Sequence, residues 1–391
     1  MAKELGYVWI TPYSLLKSRT GGIIGRLLSY ADIDLVGAHM FAPTDEFIDR
    51  YNETIQEANI DEGNKNALLT YMNEHFRPSN RLGIVNRAMM LLVEGENIQD
   101  LKDKVVGSLT SDPRGDTIRG TYGDYLGYIT GELKYFEPAV LTATTPEMKC
   151  KQLELFAEFA NSDGGCLEHV MPFEDRSVVQ TTLVIIKPEQ FDRRSPRVGN
   201  IIDTFSQTGL YIVGSKVLRL TTAQAEEFYG PLRKIFTEKL QGLVGDLEDG
   251  IKEKFDCVKP DGRFDQISEF LYDLNAENEF NRIVEYMSGT SPSGLTDEQK
   301  DQPGGAKCLA LLYQGEDAIE KIRQTLGATD PNKAEAGTVR SFYGTDLMRN
   351  SAHASDSPES FDRERGIVGL APDQVEWSFV DRIREYLESQ A

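Results

Sequence analysis

The chain has little of what would define several protein classes. Its 391 residues hold only 4 cysteines. Cys150, Cys166, Cys257 and Cys308 lie far apart and form no Cys-x-x-Cys pair. That spacing argues against a disulfide framework and a zinc site, and the thiols read as reduced, as in a cytoplasmic protein. No apolar run reaches the roughly 20 residues of a membrane helix. The segment Lys3 to Pro12 is too short for the apolar core of a signal peptide. Positive charge is scarce, since 42 Lys and Arg face 63 Asp and Glu for a net charge of −21. Such a balance argues against a nucleic-acid binder that works through a broad basic surface. A few local Arg and Lys can still gather a phosphate. What remains is an acidic globular composition, 40% hydrophobic and 27% charged, with length for two or three domains.

What the chain does have is an internal repeat. Tyr7-Val8-Trp9-Ile10-Thr11-Pro12 matches Leu183-Val184-Ile185-Ile186-Lys187-Pro188, each an apolar run stopped by proline, as in a buried strand that ends at a loop. Gly22–Leu28 matches Gly199–Phe205 at helical spacing, and Val36-Gly37 matches Val213-Gly214 with no change of spacing. Tyr71-Met72 then matches Tyr286-Met287, Leu91–Gly95 matches Leu311–Gly315, and Thr117–Gly120 matches Thr338–Ser341. Near the end of each copy, Thr-Pro-Glu at 145–147 lies on Ser-Pro-Glu at 357–359, which sets Leu141 against His353. Strands and helices alternate with short connections, which favours a small mixed or antiparallel sheet with helices on one face.

The expected organisation is a first domain over 1–160, a linker over 161–180 with turn residues Asn161–Gly165, and a second domain over 181–372. The second copy carries a helical insert at about 231–279. The segment Ser288–Gly305, with Pro292, Pro303 and four glycines, reads as a loop. A tail over 373–391 places Val375, Phe379, Ile383 and Leu387 on one helical face and reads as a docking helix.

Lys187-Pro188, Thr338-Val339-Arg340 and Asn350-x-x-His353-x-Ser355-Asp356-Ser357 resemble the nucleoside diphosphate kinase family. The second copy looks like that family from Thr181 to about Gly366, and the first looks like a degenerate member. The resemblance implies an α+β fold of two tandem ferredoxin-like βαββαβ domains, each a four-stranded antiparallel sheet with packed helices. It implies transfer of the γ-phosphoryl group of a nucleoside triphosphate to a nucleoside diphosphate, in ping-pong fashion, through phosphorylated His353. A neutral imidazole nitrogen is a competent nucleophile near neutral pH. The resemblance sets Lys187, Arg323, Arg340 and Thr329 on the phosphates and Tyr229 near the histidine. It gives Asn350 to the sugar, Ser355 and Glu364 to orienting the imidazole, and Ile283 and Leu347 to the base. The stacking aromatic of the family falls near Glu279 or Phe280. Glu279 cannot stack and Phe280 aligns better with a neighbouring core position, so the stacking contact does not carry over, and Phe280 stands only among the nucleotide-binding candidates. Mg2+ would bridge phosphate oxygens, with no protein side chain assigned to it.

In the first copy Thr11 stands for the lysine, Leu141 for the histidine, and Asp103 or Lys104 for Arg323, which removes the nucleophile. Arg119 is the main survivor, equally readable as structural or as a residual phosphate contact. His39, His75 and His169 read as structural or exposed. The two copies are expected to form a pseudo-dimer within one chain, by analogy with the isologous pairing of identical subunits, and higher homo-oligomers are compatible with this. Two other functions compete: a nucleotide-binding scaffold with vestigial activity, and a phosphohistidine donor to a protein partner.

Overall fold

The structure is a computed structural model that describes residues 3–96, 98, 101–109, 115–127, 133–168, 170–241, 253–254 and 263–390. The strands are β1 (Glu4–Ile10), β2 (Asp34–Phe41), β3 (Ala88–Gly95), β4 (Asp124–Gly127), β5 (Leu133–Glu137), β6 (Val140–Leu141), β7 (Val179–Ile186), β8 (Tyr211–Leu218), β9 (Cys308–Glu316) and β10 (Ala352–Ala354). In the first copy the helices are α1 (Pro12–Leu16), α2 (Thr20–Tyr30), α3 (Asp45–Glu57), α4 (Glu62–Tyr71), α5 (Ile118–Tyr122) and α6 (Pro146–Glu158). The remainder holds α7 (Arg197–Ser206), α8 (Thr222–Tyr229), α9 (Leu232–Gln241), α10 (Arg263–Ser288), α11 (Asp297–Lys300), α12 (Ala318–Leu326), α13 (Val339–Tyr343), α14 (Pro358–Ile367) and α15 (Ser378–Gln390). By contacts the chain divides into two compact units, Met1–Val217 with Cys308–Ala391, and Leu218–Lys307.

The larger unit contains two four-stranded antiparallel sheets, ordered β2-β3-β1-β6 and β10-β7-β9-β8. Counted within each copy, both orders read 4-1-3-2 or its reverse, the ferredoxin-like arrangement the sequence implied. The strand ends follow from local chemistry. Pro12 has no N–H for the ladder, so β1 stops before it. Thr11 instead caps α1 by accepting from Ser14 N at 3.2 Å. In the second copy β7 stops at Lys187-Pro188 in the same way. A short ribbon, β4 with β5, is added to the first copy.

The helices matched by the repeat, α2 and α7, pack on each other at glycines. A Cβ on Gly199 would lie 2.2 Å from both Gly21 O and Gly25 N, so these backbones approach as only glycine permits. Around that contact Ile23, Ile24 and Leu27 share one buried cluster with Val198, Ile201, Ile202 and Phe205. Each such side chain removed from water is worth roughly 1.5–3 kcal/mol. The linker is stitched to both copies, since Gly164 bridges Phe41 and Leu167 N donates to Val213 O at 2.8 Å. The tail forms α15 and packs against α6, β1 and β2. Gly37 admits it, because a Cβ there would lie 2.8 Å from that of Phe379. The buried stripe is Phe379, Val380, Ile383 and Tyr386, whereas Val375 precedes the helix and is exposed.

His39 lies in this same core, fully buried, with Nε2 2.9 Å from Ala160 O and rings of Trp377 and Phe379 against it. His75 is buried against Tyr71. His169 lies outside the described residues.

The smaller unit is helical. A capping box between Thr221 and Gln224 starts α8, and α10 packs on both α8 and α9. The expected loop after Ser288 is not wholly irregular, because Thr296 and Gln299 form a second capping box that nucleates α11. Most of the stretch between α9 and α10 lies outside the described residues.

Candidate active site

His353 is the middle residue of β10, paired with Ile185 of β7, and its side chain is 23% exposed. The imidazole Nε2 lies 2.8 Å from Oε2 of Glu364 on α14. Ser355 Oγ donates to the same oxygen at 2.7 Å, and Arg363 reaches Oε1 at 3.3 Å. A carboxylate oxygen only accepts, so Nε2 carries the proton and the lone pair of the neutral ring falls on Nδ1. Glu364 and Ser355 are both buried, which fixes the ring's orientation.

A second group is built on the loop before β10. Lys187, at the end of β7, is 8% exposed and donates to Asn350 Oδ1 at 2.7 Å and Met348 O at 2.9 Å. Burial pulls its ammonium from the usual lysine range down to about 8; Glu189 opposes that shift and Arg340 adds to it. Asn350 in turn donates to Thr329 O and Leu347 O, both at 3.0 Å. Arg340 on α13 donates to Gly327 O at 3.0 Å and to Ala352 O at 3.1 Å, which ties it to the residue beside His353. Arg323 lies on the exposed face of α12 and lines one open depression with Gln180, Asp356 and Ser357. The Asp356 carboxyl is held below its usual range by the Ser360 hydroxyl and by Arg323, against burial.

The structure thus links Lys187, Thr329, Arg340, Leu347 and Asn350 in one hydrogen-bonded set, with His353, Ser355 and Glu364 beside it. Leu347 presents its side chain to solvent at 63% exposure. The remaining candidates belong to the smaller unit. Tyr229 is buried at the end of α8, and Ile283 is half-buried on α10. Phe280 is corrected as a nucleotide-binding candidate. It is fully buried, and the Arg233 guanidinium lies 3.7 Å from its ring centroid, so it has no open face for a base. Its position is set by core packing of the helix, as its apolar neighbours Ala276 and Val284 suggest.

The first copy keeps the frame and an open depression, lined by Asp103, Thr144, Thr145 and Pro146, but not the lysine and histidine of the second. Arg119 is buried and donates to Gly107 O at 2.8 Å and Val140 O at 3.1 Å, the counterparts of the Arg340 contacts. Leu141 is buried opposite Trp9, and Gln152 stands at the position of Glu364, bonded to Tyr7 and Thr54. The turn Leu101–Val106 is π-helical and carries Asp103 and Lys104 at the surface where α12 bears Arg323.

Glu137 is the hydrogen-bond partner of Thr11, the counterpart of Lys187. Its Oε1 accepts from Thr11 Oγ1 at 3.0 Å and from Ala139 N at 3.1 Å, and Tyr71 donates to Oε2 at 2.5 Å. Burial raises this carboxyl from 4.5 to about 7, against the lowering effect of those hydrogen bonds. The folded chain therefore holds a proton there that the unfolded chain releases. The associated stability is complete below about 4.5 and is lost as pH rises to about 7. Urea unfolding at pH 5 and pH 8 should show Glu137→Gln gaining on the wild type by on the order of 2–3 kcal/mol at the higher pH. Parallel pH dependence in the two proteins would refute this.

A histidine oriented by a buried carboxylate, beside a lysine and two arginines, is suited to accepting and returning an anionic group. Fold and site together define a ferredoxin-like sheet with a cationic candidate site gathered around a histidine. Comparison with known proteins gives the family. The profile described as nucleoside diphosphate kinase matches residues 180–244 and 263–375. The chain is 30% identical over 186 residues to a nucleoside diphosphate kinase of Desulfatibacillum aliphaticivorans, spanning 48% of this chain and 91% of that protein. Against the enzyme of Bdellovibrio bacteriovorus it is 31% identical, over 48% of this chain and 89% of the relative. A crystal structure of the Aquifex aeolicus nucleoside diphosphate kinase aligns at 26% identity and a TM-score of 0.32, covering 50% of this chain and 99% of that one. The chain belongs to the nucleoside diphosphate kinase family, and both matched segments lie in its second copy. Among the described residues, no helix is long and apolar enough to cross a membrane.

Proposed function

We propose that the second copy transfers the γ-phosphoryl group of a nucleoside triphosphate to a nucleoside diphosphate through a phosphohistidine at His353. The observation that carries this reading is the Glu364 carboxylate on Nε2, which leaves Nδ1 as the nucleophilic nitrogen. Glu364 also stabilises the imidazole as positive charge develops on attack. Lys187, Arg323 and Arg340 supply the charge that a transferring phosphoryl group requires, and Asn350, held by Lys187 and Thr329, is placed for the sugar.

Family membership implies a magnesium ion. Among the described residues no three His, Cys, Asp or Glu side chains are grouped to hold a metal. That donor set fits an ion carried by the phosphates, for which one nearby carboxylate such as Asp356 suffices. Bound there, magnesium would neutralise phosphate oxygens. The chain's own part is to align the triphosphate with Lys187 and the arginines.

The test is incubation with γ-labelled ATP, which should give acid-labile label on the protein that a nucleoside diphosphate discharges. Failure of wild type to label would refute the reading; label that no diphosphate removes would favour donation to a protein. Lys187 adds a pH signature. Its ammonium is charged below about 8 and neutral above. For the free enzyme, kcat/KM for triphosphate should fall about tenfold per pH unit beyond that point, and Lys187→Met should lose this alkaline limb.

We further propose that residues 1–160 and 181–372 act as an intramolecular pseudo-dimer through α2 and α7, with one competent site per chain. The close glycine contact of α2 with α7 and the buried cluster they share support this.

A further inference from the structure

We infer that Glu189 is a positioning residue for His353 and Asn350 and acts through the backbone of Ser351; the inference rests on the phosphohistidine reading above. Ser351 is fully buried and has φ of 74°, a left-handed conformation that serine rarely adopts. Its own hydroxyl has no hydrogen-bond partner among the described residues, so the side chain does not support the kink. The backbone is clamped instead. Ser351 N donates to Glu189 Oε1 at 2.8 Å, and Ser351 O accepts from Lys187 N at 3.0 Å.

The kink stands between the two functional side chains. On one side is Asn350, which accepts from Lys187 Nζ. On the other, Ala352 enters β10 against Ile186 and delivers His353 to Ile185. A relaxation of φ at Ser351 toward negative values would therefore rotate Asn350 and His353 relative to each other.

The first copy repeats the device with different residues. Ala139 is the counterpart of Ser351 and has φ of 62°. Its N–H also donates to a carboxylate, Glu137 Oε1, at 3.1 Å. Yet Glu137 comes from two residues upstream in the same loop, while the position equivalent to Glu189 holds Tyr13. Two sites that share neither nucleophile nor lysine both bring a carboxylate to that N–H. The requirement therefore lies in the kinked backbone, where a buried N–H with no acceptor is heavily penalised.

Three variants of the full chain test this by steady-state transfer and by the rate of acid-labile labelling. Glu189→Met keeps the size and removes the acceptor; it should lose about 30- to 100-fold in kcat/KM, as misplacement of a reacting group by an ångström does. Glu189→Gln keeps an amide oxygen for the N–H and should stay within about threefold of wild type on the same grounds. Glu189→Met combined with Ser351→Gly should recover at least about fivefold of the loss, because glycine holds positive φ without strain. A role in which Glu189 only supplies charge to Lys187 predicts that Gln and Met are equally impaired, and that result would overturn the inference. So would a double variant no faster than Glu189→Met. If Glu189→Met does not fold, Glu189→Gln still decides, since a loss of tenfold or more there is incompatible with an acceptor role. Wild type that takes no label refutes the underlying reading, whereas labelling wild type with an equally fast Glu189→Met refutes the role of Glu189 alone.

Discussion

Replacing His353 by alanine should abolish phosphoryl transfer, lowering kcat on the order of 10⁴-fold or more, because the covalent intermediate has no other acceptor. Lys187, Arg340 and Asn350 hold one another by contacts that do not involve the imidazole, so nucleotide binding should persist in His353→Ala. The expected signature is therefore a lost kcat with a triphosphate affinity within a few fold of wild type. Label undiminished in the variant would show that another residue carries the phosphoryl group. The converse substitution is equally informative. Leu141→His restores the residue type in the first copy but meets Gln152 in place of Glu364 and Thr11 in place of Lys187. It should create no activity. Gain of transfer in a Leu141→His, His353→Ala chain would show that the first copy retains enough of the machinery to work without these partners.

Much of this site was legible in the sequence because its chemistry depends on residue identity at fixed spacing. Lys187 before Pro188, and Arg340, Asn350, His353 and Ser355 in register, lie together in the fold through two adjacent strands and one loop. Glu364 sits 11 positions beyond His353, and α14 brings it back to the ring. What the sequence hid is set by backbone conformation or by burial. Nothing in serine announces a φ of 74° at Ser351, so nothing in the sequence singled out Glu189 after Lys187-Pro188. Phe280 could stand among the nucleotide contacts because a core aromatic and a binding aromatic share a hydropathy, although its alignment already pointed to the core. The buried bonds of Glu137 were invisible, since they depend on Thr11, Tyr71 and Ala139 converging on it. The fold was easier to read, because the repeat supplied two noisy copies of one strand and helix pattern. The tail was read as a helix correctly, but its stripe was placed too early by including Val375.

The largest effect on stability is expected at the junction of the two copies. Gly199→Val would put side-chain atoms where a Cβ alone already lies 2.2 Å from Gly21 O and Gly25 N. The obstructing atoms are backbone, so no rotamer change relieves the clash and α2 must move away from α7. That movement opens the shared cluster of Ile23, Ile24, Leu27, Ile201 and Phe205. The loss should reach at least about 4 kcal/mol, more than overpacking usually costs, with a Tm lower by about 5 °C or more. Gly366→Ala is the matching control. It lies on α14 with open space around it and should be neutral or slightly stabilising. If the copies form a pseudo-dimer, Gly199→Val should also cut transfer at His353, although Gly199 lies on a helix that supplies none of the catalytic side chains. A first copy that merely accompanies the second predicts a lower Tm with unchanged kcat at temperatures where the variant remains folded. A structural partner predicts that both fall together, because β7 and β10 share their hydrophobic cluster with α7, which α2 braces from the other copy.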